Sequence, residues 1–175
     1  MNYNPTIYEP IKTNPQLRYA LGTNGTNPLF IIGLNPSTAD DKVPDRTILK
    51  VNGYATRNNN DSFIMLNLYA QRTPDPNKLH PTIDNQLHNE NVALIRTMIE
   101  NFKNPSILAA WGNKINKREY LKLCLADIFN LTKNKNINWL KIGDLTKSGH
   151  PRHPSRASKD NLTNFDLNTY LTIIK

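Results

Sequence analysis

The chain reads as an α/β protein, a three-layer α/β/α sandwich around a central four-stranded parallel sheet. Two observations predict this. Two near-continuous apolar runs, Leu29–Leu34 and Phe63–Leu68, have the length and composition of strands buried on both faces, as in a parallel sheet covered by helices. Two further stretches, Ser106–Trp111 and Trp139–Ile142, alternate with segments whose apolar residues recur at helical spacing. Such alternation closes through right-handed crossovers, which place helices on both faces of the sheet.

The 175 residues are most simply one domain, an N-terminal lead-in over 1–28 followed by an α/β core over 29–175. In the lead-in, Leu17–Leu21 is a short extended candidate before the turn-prone Gly22–Asn27, a hairpin-like approach to the first core strand. After that strand Asp45 caps a helix with Ile48, Val51 and Ala55 on one stripe, ending near Asn58-Asn59-Asn60. The second strand opens into a loop over Pro74–Pro81. A helix over Asn85–Lys103 then places Ile95, Met98, Ile99 and Phe102 at i, i+3, i+4 and i+7. The third strand closes at Trp111-Gly112-Asn113, and Leu121, Cys124, Leu125 and Ile128 mark the next helix. A long polar loop, Gly143–Lys159, follows the fourth strand and precedes a last helix with Leu167, Tyr170, Leu171 and Ile174 on one face.

The single cysteine, Cys124, has no partner for an internal disulfide or a thiolate metal site, and its apolar helix face predicts packing. His80 and His88 are expected at the surface. The N-terminus lacks a basic region followed by an apolar one, and no run approaches the roughly 18 apolar residues of a membrane span, so a soluble cytoplasmic protein is expected. Lys and Arg number 22 against 14 Asp and Glu, and five of the eight excess charges lie from Lys133 onward. That imbalance suits a polyanionic partner, or a solvated basic surface.

What lies just beyond each strand is more informative. Asn35, Ser37, Thr38 and Asp40 follow the first, Asn67 ends the second, Trp111-Gly112 close the third, and the fourth leads to Gly149–Arg156. In an open parallel sheet these ends share one rim, where ligands bind. Asn35 and Asn67, with His150 and His153, suit a planar polar ligand such as a nucleobase, because each amide offers a donor and an acceptor. No helical His-x-x-x-His and no cysteine pair is present, so neither a metal nor a cofactor is expected. Alone, Gly33–Ser37 is equally ordinary turn chemistry. Convergence on one rim carries the functional reading.

In order and content these segments resemble the uracil-DNA glycosylase superfamily. Gly33-Leu34-Asn35-Pro36-Ser37 is similar to its first motif, Gly-Gln-Asp-Pro-Tyr-His, or Gly-Ile-Asn-Pro-Gly in the mismatch-specific branch. Met65-Leu66-Asn67 resembles a Leu-Leu-Asn, Ala110-Trp111-Gly112 a Leu-Trp-Gly, and His153–Ser158 matches His-Pro-Ser-Pro-Leu-Ser at four of six positions. Closer still, over residues 18–156, the chain is similar to an uncharacterised bacterial and phage family. Its marks are a Leu-Asn-Pro-Ser-Thr-Ala-Asp stretch, here Leu34–Asp40, and a Thr-Lys-x-Gly-x-Pro-x-His-Pro, here Thr146–Pro154.

The glycosylase resemblance implies a sheet order of 2-1-3-4 and hydrolysis of the N-glycosidic bond of uracil or a modified pyrimidine in DNA, as in DNA repair. It implies that His153 donates to the base carbonyl, Asn67 reads the base edge, and Asn35 positions the attacking water. An amide is a poor base, so chemistry is expected to be slow unless Asp40 or another carboxylate reaches that water. Gly33, Leu34, Pro36 and Ser37 would frame the base. Ser37 replaces a tyrosine that blocks the pyrimidine 5-position, which makes room for thymine or a 5-modified base. Ala157 replaces the wedge leucine and is too short to fill the gap left by a flipped base. Lys147, His150, Arg152, Ser155, Arg156 and Lys159 would contact single- or double-stranded DNA or a nucleotide. Two other readings stay open: a non-catalytic nucleic-acid-binding protein, and an enzyme acting on free nucleotides or nucleosides.

Overall fold

The computed structural model describes residues 3–9, 14–157 and 161–174. Lys159, expected as a phosphate contact, lies outside them. Seven strands form one sheet: β1 (Ile7–Glu9), β2 (Ala20–Gly22), β3 (Pro28–Gly33), β4 (Ser62–Asn67), β5 (Ser106–Ala109), β6 (Asn138–Ile142) and β7 (Leu162–Asn164). The helices are α1 (Arg46–Arg57), α2 (Asn85–Glu100), α3 (Tyr120–Thr132) and α4 (Leu167–Ile173).

The strands run in the order β1-β2-β4-β3-β5-β6-β7. The central four, β4-β3-β5-β6, pair in parallel and are the four expected strands in the order 2-1-3-4. The expectation of a four-stranded sheet is nonetheless wrong: β1 and β2 extend one edge and β7 the other, all antiparallel. The lead-in is also not a hairpin onto β3. Leu21 pairs with Met65 and Gly22 with Ile64, so β2 crosses to the far side of β4. Gly22 permits that approach, because a Cβ there would stand 2.1 Å from the Phe63 carbonyl oxygen.

The pleat sorts the apolar runs into two layers. Leu29, Ile31, Phe63 and Met65 face α1 through its Ile48, Val51, Tyr54 and Ala55. Phe30, Ile32, Ile64 and Leu66 face the opposite way, onto Ile95 and Ile99 of α2, Leu121, Cys124, Leu125 and Ile128 of α3, and Leu167 and Tyr170 of α4. Strands apolar at every position therefore find helices on both sides, and burying each such side chain is worth about 1.5–3 kcal/mol. Asp45 caps α1 as expected, its carboxylate accepting from the Thr47 and Ile48 amides at 2.9 and 3.0 Å. Asp84 does the same for α2 through Leu87 at 3.0 Å.

Cys124 packs in the core, and burial pushes its thiol up to about 12. His88 is not at the surface: it is buried, and its Nε2 lies 2.9 Å from Asp127, tying α2 to α3. Among the described residues no helix is long and apolar enough to cross a membrane. The consequence for function is positional. Parallel pairing sets Gly33 beside Asn67 and Ile32 beside Ala109, so the polar residues that follow emerge along one edge.

Candidate functional site

Along that edge lies a cleft of about 370 Å³, lined from every strand-end loop. Of the residues singled out from sequence, Leu34, Asn35, Ser37, Arg152, His153, Ser155 and Arg156 line it.

The loop after β3 is held from behind. Asn35 Nδ2 donates to the carbonyls of Pro36 at 2.9 Å and Thr73 at 2.8 Å, and more weakly to Gln71 at 3.4 Å. Thr73 N returns a bond to Pro36 O at 2.9 Å, which joins this loop to the one after β4. Pro36 is thereby buried as part of the joint and does not face the cleft. Arg72 donates to Ser37 O and Thr38 O, both at 2.8 Å, and to Ala39 O at 3.2 Å. Asn35 thus has its nitrogen committed to scaffolding, and its Oδ1 is the atom left for a ligand or water.

Asp40 does not reach the cleft. Its Oδ1 accepts from the Lys42 and Val43 amides at 2.8 and 2.7 Å, closing a turn, and those bonds hold its carboxyl below the usual carboxylate range. The carboxylate that does line the cleft is Asp45. One of its oxygens caps α1, and the second has no partner among the described residues.

His153 sits on the turn made by Gly112. Gly112 has φ +65°, and a Cβ on it would stand 3.2 Å from His153 Cβ, so glycine there gives both the turn and the room. The His153 ring caps the short turn that follows: Nδ1 accepts from Ser155 N at 3.3 Å and lies 2.9 Å from Ser155 Oγ. Burial lowers its pKa to about 4, against the pull of the Asp45 carboxylate and with Lys114 and Arg156 adding to the fall. The ring is neutral at pH 7. With Nδ1 an acceptor, the proton resides on Nε2, which has no partner among the described residues.

Asn67 does not line the cleft but adjoins it. A Cβ on Gly33 would stand 2.5 Å from Met65 Cε and 2.8 Å from Asn67 Oδ1, so both side chains cross the gap that Gly33 leaves. Met65 lines the cleft. Asn67 is fully buried, and neither its Oδ1 nor its Nδ2 has a partner among the described residues. Its backbone is fixed from the other face, where Asn91 Nδ2 donates to Asn67 O at 3.0 Å and Leu68 O at 3.2 Å.

His150 points elsewhere. It is buried, with Nδ1 2.7 Å from Tyr170 Oη and Nε2 3.1 Å from Asn116, and Trp111 Nε1 donates to the same Tyr170 oxygen at 3.0 Å. This chain pins the 143–157 loop to α4 and leaves His150 no nitrogen for nucleic acid. Lys147 is exposed but outside the cleft. Arg152 lines the wall while bracing its own loop through Asp144 O at 2.8 Å.

Sequence reasoning missed Arg18, Met65, Thr73, Asn113 and Lys114, and read Asp45 as a cap alone. Arg18 is buried, donates to Ala39 O at 2.6 Å, and has its pKa lowered to about 10 chiefly by burial. The one available signal is an arginine inside the short extended stretch Leu17–Leu21, two residues before β2. Four cations, Arg18, Lys114, Arg152 and Arg156, face one carboxylate, Asp45, so the cleft is electropositive. Among the described residues no three His, Cys, Asp or Glu side chains are grouped to hold a metal.

A family model described as a protein of unknown function (DUF1643) matches residues 18–155, a span whose first and last residues, Arg18 and Ser155, both line the cleft. No curated protein and no solved structure matches the chain.

Proposed function

The chain belongs to the DUF1643 family, and we propose that it is a uracil-DNA glycosylase-like hydrolase, cleaving the N-glycosidic bond of uracil or a modified pyrimidine. One observation carries the reading. His153 is a neutral imidazole whose Nδ1 is committed to Ser155 and whose Nε2–H is free on an electropositive cleft. That is a donor aimed at developing negative charge. The four motif segments resembling that superfamily also supply the cleft and its floor, with the parallel strands in the order 2-1-3-4.

In the proposed reaction the C1′–N bond breaks and its electron pair passes to the base. His153 Nε2–H stabilises the charge arriving on the base carbonyl oxygen. Asp45, rather than Asp40, faces the positive charge that builds on the sugar, and Asn35 Oδ1 orients the water that adds to C1′. The proton of that water leaves to solvent or to the departing base. Asn67 does not line the cleft, so it reads the base edge only where the base displaces Met65, which shares the gap beside Gly33 with it; its buried amide then has both a donor and an acceptor to offer.

The test is base release from oligonucleotides, single- and double-stranded, carrying uracil, mismatched thymine or 5-substituted pyrimidines, with His153→Ala and Asp45→Asn as controls. Release that disappears in both variants supports the mechanism. Release from no substrate refutes it, and salt-dependent binding without release would move the protein to the class of nucleic-acid-binding modules. A second reading, action on free nucleotides, is favoured by the cleft's volume of about 370 Å³, at the small end of ligand pockets.

A further inference from the structure

Arg18 carries a charge that the fold does not neutralise at contact distance. Its side chain is 2% exposed and yet lines the cleft. Nη1 donates to Ala39 O at 2.6 Å, but Nε is buried without a partner, and among the described residues no carboxylate lies within ion-pairing distance of the group. The Ala39 carbonyl that it binds is also taken by Arg72, so holding the 37–39 loop does not by itself require a second arginine. Buried guanidinium groups are ordinarily paired, because taking a charge out of water is expensive unless an opposite charge meets it. Lys114 and Arg156 add cations to the same cleft, and Asp45, the carboxylate among its lining residues, has one oxygen committed to the α1 cap. A planar fork with unused N–H donors, recessed in a cationic cleft, matches the oxygens of a phosphate.

We propose that Arg18 is the centre of a phosphate subsite at the base of this cleft, so that the ligand is a nucleotide and not a bare base or nucleoside. The identity of the rest of the ligand rests on the nucleobase reading above; the subsite itself does not. The phosphate belongs either to a free 5′-mononucleotide or to the backbone of a strand.

Calorimetric titration of the wild-type protein with deoxyuridine, deoxyuridine 5′-monophosphate, 2-deoxyribose 5-phosphate, inorganic phosphate and a short uracil-containing single strand without terminal phosphates separates these cases. The monophosphate is expected to bind at least about tenfold tighter than deoxyuridine, the size of one charge-assisted contact. Inorganic phosphate is expected to compete with it. Arg18→Gln, which keeps a donor for Ala39 O but removes the charge, is expected to bring the two ligands to equal affinity. If the monophosphate gains nothing but the strand binds in an Arg18-dependent way, the subsite stands and its phosphate is a backbone one. Arg18-dependent binding of 2-deoxyribose 5-phosphate equal to that of the monophosphate upholds the subsite and refutes the nucleobase reading. Equal affinity for deoxyuridine and its monophosphate, together with strand binding unchanged in Arg18→Gln, overturns the proposal. So does failure of every phosphate-bearing probe to bind. Should Arg18→Gln not fold, Lys114→Gln, Arg152→Gln and Arg156→Gln take its place: a monophosphate advantage that survives in all three leaves Arg18 as its source, and one that disappears in any of them overturns the proposal.

Discussion

Replacing Asn67 by leucine should stabilise this protein and, on the proposed reading, abolish base recognition. Asn67 is 0% exposed and neither amide atom has a partner among the described residues. An unsatisfied buried polar group costs about 1–3 kcal/mol in mutational series, and exchanging it for an apolar group of similar shape is neutral or better. Leucine adds some volume beside Met65 and Gly33, and overpacking takes back part of the gain, so a net of about 1 kcal/mol in favour of the variant is expected. Leu66, one residue earlier and facing the opposite layer, provides the contrast: Leu66→Ala should lose about 2–5 kcal/mol through the cavity it leaves. Urea unfolding of the three proteins at one pH measures both numbers. Ligand binding or base release measured on Asn67→Leu completes the test. A loss of about 2 kcal/mol or more in Asn67→Leu would mean that its amide is already hydrogen-bonded in the free protein. It would then be part of the scaffold rather than a reader held ready.

Three further outcomes follow from the site. His153 has a folded pKa of about 4 against an ordinary value near 6.5, so between those pH values the unfolded chain takes up a proton that the folded chain refuses, and stability falls as pH drops through that window. The full shift corresponds to about 3 kcal/mol; we expect about 2, because one edge of the ring meets the cleft's water. His153→Asn should flatten the urea midpoint over pH 6.5 to 4 relative to wild type, and parallel slopes would show that the ring titrates freely. Gly112→Ala forces a Cβ into positive φ and against His153, and should lower stability by about 1–2 kcal/mol and depress activity, read by thermal melting and base release. A neutral substitution there would contradict the close seating of His153. Arg72→Met releases the carbonyls of Ser37, Thr38 and Ala39, and should cost about 2 kcal/mol and speed amide exchange across residues 37–43.

The sequence announced the parallel centre because strands buried on both faces must be apolar at every position, and β3 and β4 are. It hid the outermost strands, β1 and β7, for the converse reason, whereas β2 overlaps the Leu17–Leu21 stretch that reads as extended. β7 is Leu-Thr-Asn, with two of three residues exposed, and nothing in its composition separates it from the loop before it. Asp45 was legible as a helix cap, a local property. That it also lines the cleft follows only from where the fold sets the start of α1. Asp40, five residues earlier in the same loop, folds back on Lys42 and Val43 instead. His150 and His153 share a proline-containing loop that has no periodicity to say which way each points. The outcome turns on contacts distant in sequence, Tyr170 for one and Gly112 for the other. Arg18 is the extreme case: its position was read as lead-in, and its role depends wholly on residues 21 and more positions away.

The charges of the cleft constrain how such a site would work. A histidine with pKa near 4 is protonated in about one molecule in a thousand at pH 7. A route that required His153 as a cationic acid would therefore begin with a handicap of about 4 kcal/mol. A route in which the neutral Nε2–H merely donates to the carbonyl of the departing base carries none of it. The surroundings enforce the second route, since Lys114 and Arg156 both hold the ring's pKa down and add to the potential that receives negative charge. Burial and neighbouring cations thus act together: they make His153 a poor acid and the cleft a good host for an anion. On this reading the ring stays neutral down to about pH 4, so titration of His153 places no limb near pH 6.5 in the pH–rate profile.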